Sequence, residues 1–275
     1  MFAGLSGDIG TLGLGLVIAG VVAGLVAGML GVGGGIVIVP VLYHVFGAAG
    51  VPEELRMHLA VGTSLAVIVP TSLSSLSAHA RNGAVDARLI KLWAAPMLIG
   101  VLAGTAIAGV APGELLTLVF GAAAVPIALY LLFGKEGWRL GDHIPRGPLG
   151  AALPFGIGGL SAMMGIGGGI IGVPSMTLCG MPIHRAVGTA SAFGVIIAVP
   201  GAIGAVIAGW GAERLPAFSY GYVNLLAFAV VAPVTFVVAP LGARFAHMAD
   251  RRRLARMFAL FVAVTALKML WDVLG

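Results

Sequence analysis

The chain has 275 residues, of which 60% are hydrophobic and only 9% are charged. A soluble domain carries about a quarter charged residues, so this composition excludes an ordinary soluble protein and indicates a polytopic membrane protein. The net charge of +5 comes from cations in short segments beside apolar stretches, which indicates the lipid bilayer as partner and no nucleic acid. The single cysteine, Cys179, cannot form an internal disulfide.

Stretches without Asp, Glu, Lys or Arg mark the expected membrane segments in chain order. Two of them, 9–52 and 147–183, are far too long for one span of about 20 residues. Each is followed by three stretches of ordinary length, at 59–78, 92–113 and 115–134 in the first half and at 186–212, 215–243 and 257–274 in the second. We therefore expect a first transmembrane repeat at 1–134, a cytoplasmic linker at 135–147 and a second repeat at 148–275.

Both double-length segments contain the same glycine-rich block. The sequence GVGGGIVIVP at 31–40 returns as GIGGGIIGVP at 165–174, with seven of ten positions identical. A second block follows each copy: HLAVGT begins at His58 and HRAVGT begins at His184, with five of six positions identical. The chain is therefore a tandem duplication.

The glycine runs predict that each double-length segment is a broken helical hairpin. Each glycine costs a helix about 1 kcal/mol relative to alanine, and Pro40 and Pro174 remove a further backbone donor each. Backbone groups freed at membrane depth must face protein or a wet cavity. A stripe at Gly20, Gly24 and Gly28 in the first segment predicts close helix packing.

The distribution of cations supports the hairpin interpretation. If each double-length segment enters and leaves on one side, twelve of the fifteen Lys and Arg residues share a face, which the positive-inside rule makes cytoplasmic. Each half then makes an odd number of crossings, so the two halves are inverted. The predicted fold is an all-α polytopic membrane protein of two inverted repeats, with about 8–10 membrane segments. The twelve cations are Arg81, Arg88, Lys91, Lys135, Arg139, Arg146, Arg185, Arg244, Arg251, Arg252, Arg253 and Arg256.

Inverted repeats with helices broken at the midplane are typical of secondary transporters. A helix that restarts after a glycine run presents free N–H groups and a positive dipole end, which suit an anion. The alternative is that the glycines only allow backbones to cross closely, and that the nearby hydroxyls bond within their own helices. The predicted substrate-binding residues are Gly33, Gly34, Gly35, Gly167, Gly168 and Gly169, with Thr63, Ser64, Thr189 and Ser191 as hydroxyl donors.

The duplicated His58 and His184 are candidate proton carriers or anion ligands, with an interfacial position as the alternative. The spans other than the last contain no Asp or Glu, so a relay of buried carboxylates is not available. A channel or uniporter without ion coupling therefore stays open as an alternative to proton coupling. Trp93 and Trp210 are expected to anchor the chain at the membrane interface.

The sequence predicts no enzyme, no cofactor and no metal. It contains no pattern of a nucleophile with its base, and no His, Cys and Asp cluster with metal-ligand spacing. The glycine run lacks the Lys-Ser/Thr that would follow in a nucleotide-binding P-loop. A membrane-embedded enzyme or a scaffold is therefore a weaker alternative, and the sequence leaves the oligomeric state open.

The paired Gly-x-Gly-Gly-Gly…Pro and His-x-Ala-Val-Gly-Thr blocks resemble the sulfite exporter TauE/SafE family of membrane permeases over essentially the whole chain. The resemblance implies a prokaryotic-type carrier in the inner membrane for sulfite, organosulfonates such as sulfoacetate, or related anions. It implies neither import nor export. Thr189-Ala190-Ser191 stands where the first half has Thr63-Ser64-Leu65, so the two half-sites are not equivalent.

Overall fold

A computed structural model describes residues 8–30, 34–133, 139, 141, 144–145, 147–248 and 251–274. These residues form ten helices and one two-stranded antiparallel hairpin. The elements are α1 (Asp8–Leu30), α2 (Gly35–Ala48), α3 (Glu53–Arg81), α4 (Ala87–Val110), α5 (Gly113–Phe133), α6 (Pro148–Met164), α7 (Gly169–Leu178), α8 (Ile183–Ala208), β1 (Ser219–Tyr220), β2 (Val223–Asn224), α9 (Leu225–Met248) and α10 (Arg251–Leu274).

Within the described ranges, four helices are long and apolar enough to cross a membrane: α3, α4, α5 and α8. Shorter apolar helices accompany them, including α2, α7 and parts of α1, α6 and α9. Apolar side chains such as Leu92, Ile99 and Leu102 are exposed along α4, as expected for a helix that faces lipid. The predicted all-α polytopic membrane fold is confirmed.

The first double-length segment turns back on itself at the glycine run. A Cβ added to Gly15 on α1 would lie 3.6 Å from Val45 on α2, and one added to Gly34 would lie 2.8 Å from the carbonyl oxygen of Ala23. Residues further along α2 therefore contact residues further back along α1, so the two helices are antiparallel. Gly34 has a φ of 73°, a conformation that glycine adopts without strain.

The second double-length segment has the same form. Helix α6 ends at Gly165 with a φ of 69°, and α7 starts after Gly168 with a φ of 71°. The N–H of Gly141 in the linker donates to the carbonyl oxygen of Leu178 at 3.3 Å, and linker residue Pro145 packs against Gly150 on α6. The start of α6 and the end of α7 therefore lie together beside the linker.

The loops fall on two opposite faces. On the linker face, which carries Gly141 and Pro145, Arg185 forms an ion pair with Asp86 at 3.1 Å. On the far face, Arg214 pairs with Glu54 at 3.0 Å. The first hairpin opens on the far face, because α2 runs directly into the start of α3 beside Glu54. The two hairpins therefore enter from opposite faces, as the inverted arrangement predicts.

The two repeats interlock through glycine contacts. Gly20 and Gly24 of α1 pack against α9 of the second repeat, where an added Cβ on either would come within 2.9 Å of a valine side chain. Helices α6 and α4 are the counterparts of α1 and α9 in the duplication, and they pack in a similar way. Gly104 on α4 packs against the backbone of Gly159 on α6. The predicted packing role of the stripe is confirmed for Gly20 and Gly24, and the surroundings of Gly28 fall outside the described side chains.

Two sequence predictions are wrong. Trp93 is not an interface anchor: its side chain is 1% exposed and its ring stacks on Phe193 at 5.5 Å. Helix α9 begins at Leu225, ten residues later than the predicted span 215–243, because the preceding residues form the β1–β2 hairpin over the end of α8. A stretch without charges can also be a folded loop, so hydropathy alone misplaced this boundary.

Candidate functional site

The two glycine runs meet in the protein interior. A Cβ added to Gly35 would lie 2.6 Å from the carbonyl oxygen of Gly165 and 3.0 Å from the Cα of Ile166. We call residues 34–35 the first tip and residues 165–169 the second tip, and all of them are buried. Of the predicted site glycines, Gly33 lies outside the described residues, and the other five belong to these two tips.

Each tip ends in the N-terminus of a helix. The carbonyl oxygen of Gly34 accepts the N–H of Val37 at 3.0 Å, and that of Gly168 accepts the N–H of Gly172 at 2.7 Å. The first N–H groups of α2 and α7 have no acceptor within their own helices, and each helix dipole is positive at this end. The start of α2 therefore contacts the second tip at Gly165, the C-cap residue of α6, and α7 begins after Gly168 of the same tip.

Ser64 joins the two repeats at the second tip. Its buried hydroxyl donates to the carbonyl oxygen of Gly165 at 2.7 Å, which ties α3 to the second tip. The equivalent position in the second repeat is Ala190, so this bond has no symmetric partner. Ser191 instead donates to the carbonyl oxygen of Gly188 at 2.6 Å within its own helix.

Thr63 and Thr189 make a symmetric pair of contacts between the repeats. The Thr63 hydroxyl accepts the backbone N–H of Asn224 at 2.9 Å, and the Thr189 hydroxyl accepts that of Asp86 at 3.0 Å. Asn224 and Asp86 cap the N-termini of α9 and α4, since their side-chain oxygens accept N–H groups of the first turn. Each threonine thus fixes the start of a helix that belongs to the other repeat.

The glycines of the second duplicated block, Gly62 and Gly188, allow the same two loops to approach closely. A Cβ on Gly62 would overlap the carbonyl oxygen of Tyr222, and one on Gly188 would overlap that of Ala84. Both partners lie two residues before the capping residue. The Gly-Thr pair of His-x-Ala-Val-Gly-Thr is therefore a docking surface for a loop of the other repeat. Its duplication was visible in the sequence, but its partner was not.

The two duplicated histidines have different surroundings. His58 is 8% exposed, and its Nδ1 and Nε2 lie 3.0 Å and 3.1 Å from the carbonyl oxygens of Glu54 and Ala111. Its ring packs on Tyr222 with centroids 4.7 Å apart. His184 is exposed on the linker face. Carbonyl oxygens only accept hydrogen bonds, so a doubly protonated His58 satisfies both contacts and a neutral ring satisfies only one.

A small cavity lies beside His58. The space open to the centre of a water molecule is about 20 Å³, which is room for about one water. Val61 lines the cavity and also adjoins the second tip, since its Cα would lie 2.8 Å from a Cβ on Gly165. The remaining lining is mostly apolar, apart from Thr105, His58 and Tyr222. Within the described ranges, no three His, Cys, Asp or Glu side chains are grouped as metal ligands.

Comparisons with known proteins agree with this architecture. The family profile described as "Sulfite exporter TauE/SafE" matches residues 16–269. A probable membrane transporter protein of Haemophilus influenzae is 31% identical over 88% of this chain and 91% of its own length. A probable membrane transporter protein of Methanocaldococcus jannaschii is 25% identical over 93% and 94%. No solved structure was found to match. Because the profile covers nearly the whole chain, the protein belongs to the sulfite exporter TauE/SafE family.

Proposed function

We propose that the protein is a secondary transporter that moves small sulfur-containing anions across the inner membrane, with sulfite, organosulfonates such as sulfoacetate, or related oxyanions as substrates. The observation that carries this proposal is the contact between the two buried tips, with Gly35 against Gly165; the tips belong to hairpins that enter from opposite faces, and each tip leads into a helix N-terminus. The substrate is held between the two tips. Membership of a family described as sulfite exporters supports the choice of substrate class.

The tips suit an anion for an electrostatic reason. Removing an anion from water is costly unless other donors replace the lost hydrogen bonds. The N–H groups at the starts of α2 and α7 supply such donors without a fixed cation. A sulfite or sulfonate group has three oxygens, so several N–H and hydroxyl groups can bind it at once. Without a buried arginine to hold it, the anion can also leave.

Transport requires the tips to separate. The tip backbones are in van der Waals contact, and the adjoining cavity is about 20 Å³, too small for a sulfonate. Because the hairpins enter from opposite faces, withdrawing one of them opens a path to only one side. Alternating access then follows from movement of one repeat against the other.

Proton coupling fits the surroundings of His58. A proton on this buried ring completes both hydrogen bonds to carbonyl oxygens and adds a positive charge beside the cavity. An anion entering the cavity compensates that charge, so proton and anion move together. A channel or uniporter without coupling is the alternative, and it predicts the same binding without any response to a proton gradient.

Flux and binding measurements test this function. Purified protein in liposomes should take up sulfite or sulfoacetate, and an imposed proton gradient should change the rate. A thermal-shift series of sulfite, sulfoacetate, taurine, thiosulfate and sulfate should show stabilisation by at least one sulfur anion. Flux that ignores the gradient favours the uniporter, and the absence of both stabilisation and flux contradicts the transporter proposal.

A further inference from the structure

Three buried side-chain polar atoms have no hydrogen-bond partner among the described residues; one is the Oγ1 of Thr105, and the other two adjoin α7 either directly or through the Phe193 ring. These two are the Oγ of Ser161 on α6 and the Nε1 of Trp93 on α4. A buried donor without a partner costs stability, so each such group in a native protein needs an explanation. Neither residue is part of the duplicated blocks.

Ser161 borders the N-terminus of α7. Its side chain is fully buried, and its Oγ lies 3.6 Å from the position that a Cβ on Gly168 would occupy. Gly168 is the N-cap residue of α7, which is ten residues long. The unpartnered hydroxyl is therefore beside the helix end whose first N–H groups have no acceptor within the helix.

Trp93 is linked to α7 through Phe193. The Trp93 ring stacks on Phe193, and the Phe193 ring is 3.1 Å from the position of a Cβ on Gly172. Gly172 closes the first turn of α7 through its bond to Gly168. The Ser161 hydroxyl is therefore beside the N-cap of α7, and the Trp93 indole is separated from the first turn by one aromatic ring.

The first tip lacks both groups. The position equivalent to Ser161 is Ala27, by the offset of 134 between the glycine blocks. The position equivalent to Trp93 is Val231, by the offset of 138 that relates the two capping residues Asp86 and Asn224. The two tips therefore share their backbone form but differ in the side-chain donors around them.

Thr71 does not supply a free hydroxyl donor to the first tip. It takes the place of Ile197, which contacts the second tip at Gly168, but its hydroxyl donates to the carbonyl oxygens of Val67 and Ile68 in its own helix. At the equivalent positions named here, the first repeat therefore offers no free side-chain donor.

We propose that the second tip is the oxyanion subsite of the transporter. The sulfite or sulfonate oxygens accept hydrogen bonds from the first N–H groups of α7, from the Ser161 hydroxyl and from the Trp93 indole. The cavity beside His58 adjoins the second tip at Gly165, because Val61 and Ala162 line the cavity and contact that residue. The inference rests on the proposed function and assigns the anionic group of the substrate to one of the two tips.

Three variants test the subsite, with sulfite and sulfoacetate as probes. Ser161→Ala should weaken the binding of both about tenfold, which is typical for the loss of a hydrogen bond to a charged group. Trp93→Phe removes the indole N–H but keeps an aromatic ring to stack on Phe193, and it should weaken binding several-fold. Ser175→Ala on α7 is the matched control, since its hydroxyl donates to Ile171 at 2.7 Å within the helix, and its affinity should equal that of the wild type.

Stability without anion separates a ligand group from a structural one. Because the Ser161 hydroxyl has no partner among the described residues, Ser161→Ala should melt at the same temperature as the wild type or higher when no anion is present. The stabilisation by added sulfite should shrink. A lower melting temperature without anion, or unchanged affinity for both probes in Ser161→Ala and Trp93→Phe, overturns the subsite.

Different results would contradict the transporter function and the oxyanion subsite. If the wild type binds no sulfur anion, both the transporter function and the subsite are wrong. If the wild type and both variants bind sulfite equally while Gly35→Ala weakens binding, the substrate lies between the tips but not on the donors of the second tip. In that case the proposed function stands and the subsite is wrong.

Discussion

The Thr63 hydroxyl accepts the backbone N–H of Asn224 at 2.9 Å, across the boundary between the two repeats. The equivalent contact from Thr189 to Asp86 is 3.0 Å long, so both copies of the duplicated block make the same bond in opposite directions. A fixed loop at the start of α9 and of α4 is the direct consequence. The threonines, predicted as substrate donors, act here as acceptors for the protein backbone.

Thr63→Val should therefore destabilise the protein. Valine has nearly the same shape but no acceptor, so the buried N–H of Asn224 loses its partner, at a cost of about 1–3 kcal/mol. Thr189→Val should behave alike, and Thr63→Ser should retain most of the stability. Chemical denaturation in detergent measures the difference in unfolding free energy.

Thr265→Val is the control for that series, because the Thr265 hydroxyl donates only within α10, at 2.8 Å to Phe261. It should change the unfolding free energy by less than the two other valine variants. Equal effects of all three would show that the contacts between repeats add no stability.

Gly35→Ala should force the tips apart. Gly35 lies inside α2 without a positive φ, so alanine fits its backbone, but the new Cβ would lie 2.6 Å from the Gly165 oxygen. Overpacking of this kind costs about 1–3 kcal/mol, and substrate affinity should fall as the tips shift. Thermal unfolding and a binding titration with sulfite measure the two effects.

Gly156→Ala provides the matched comparison for Gly35→Ala. No atom lies within 4 Å of a Cβ added to Gly156, which is also helical. This variant should be neutral or more stable by up to about 1 kcal/mol. Tight binding and normal stability in Gly35→Ala would contradict close contact between the tips.

His58→Ala should abolish the pH dependence of anion binding, whereas His184→Ala should preserve it. Of the two duplicated histidines, only His58 is buried beside the cavity, where its ring faces an entering anion. Sulfoacetate titrations across the neutral pH range check this, since sulfoacetate stays fully ionised there, whereas sulfite itself exchanges a proton near neutral pH. Unchanged pH profiles in His58→Ala would exclude this residue as the proton carrier.

Other charged groups near His58 also influence the pH dependence of anion binding in that experiment. Glu54 and Arg56 share its helix, Glu114 begins α5, and Arg214 pairs with Glu54 on the far face. Tyr222 packs on the His58 ring. Glu54→Gln is therefore a useful companion, since it removes a nearby charge and leaves the carbonyl oxygen that faces Nδ1 in place.

The orientation in the membrane can be tested by cysteine labelling from outside. Introduced cysteines at Asn82 and Gly141, both exposed on the linker face, should be protected, and one at Glu213 on the far face should react. Burial raises the pKa of the native Cys179 thiol, which slows its reaction, and Cys179→Ser removes this background. Labelling of Asn82 and Gly141 from opposite sides would overturn the inverted topology.

The sequence by itself determined the local architecture. Glycine runs break a helix wherever they occur, charged residues stay out of lipid, and a duplicated block must adopt a similar local form twice. These local rules predicted the hairpins at residues 31–35 and 165–169, the three helices that follow each, and the opposite orientations of the halves. The backbone forms of Gly34 and Gly168 agree closely, with φ values of 73° and 71°.

Only the tertiary structure decided which residues meet. Contacts such as Gly35 with Gly165 and Thr63 with Asn224 join segments more than 100 residues apart, and no sequence period encodes the partner of a side chain. The same holds for differences between the halves. His58 is buried because Ala111 and Tyr222 contact its ring, whereas His184 is exposed. Ser161 lies beside the second tip, but the equivalent position in the first repeat is Ala27, because the two repeats have diverged in side chains while keeping a similar backbone.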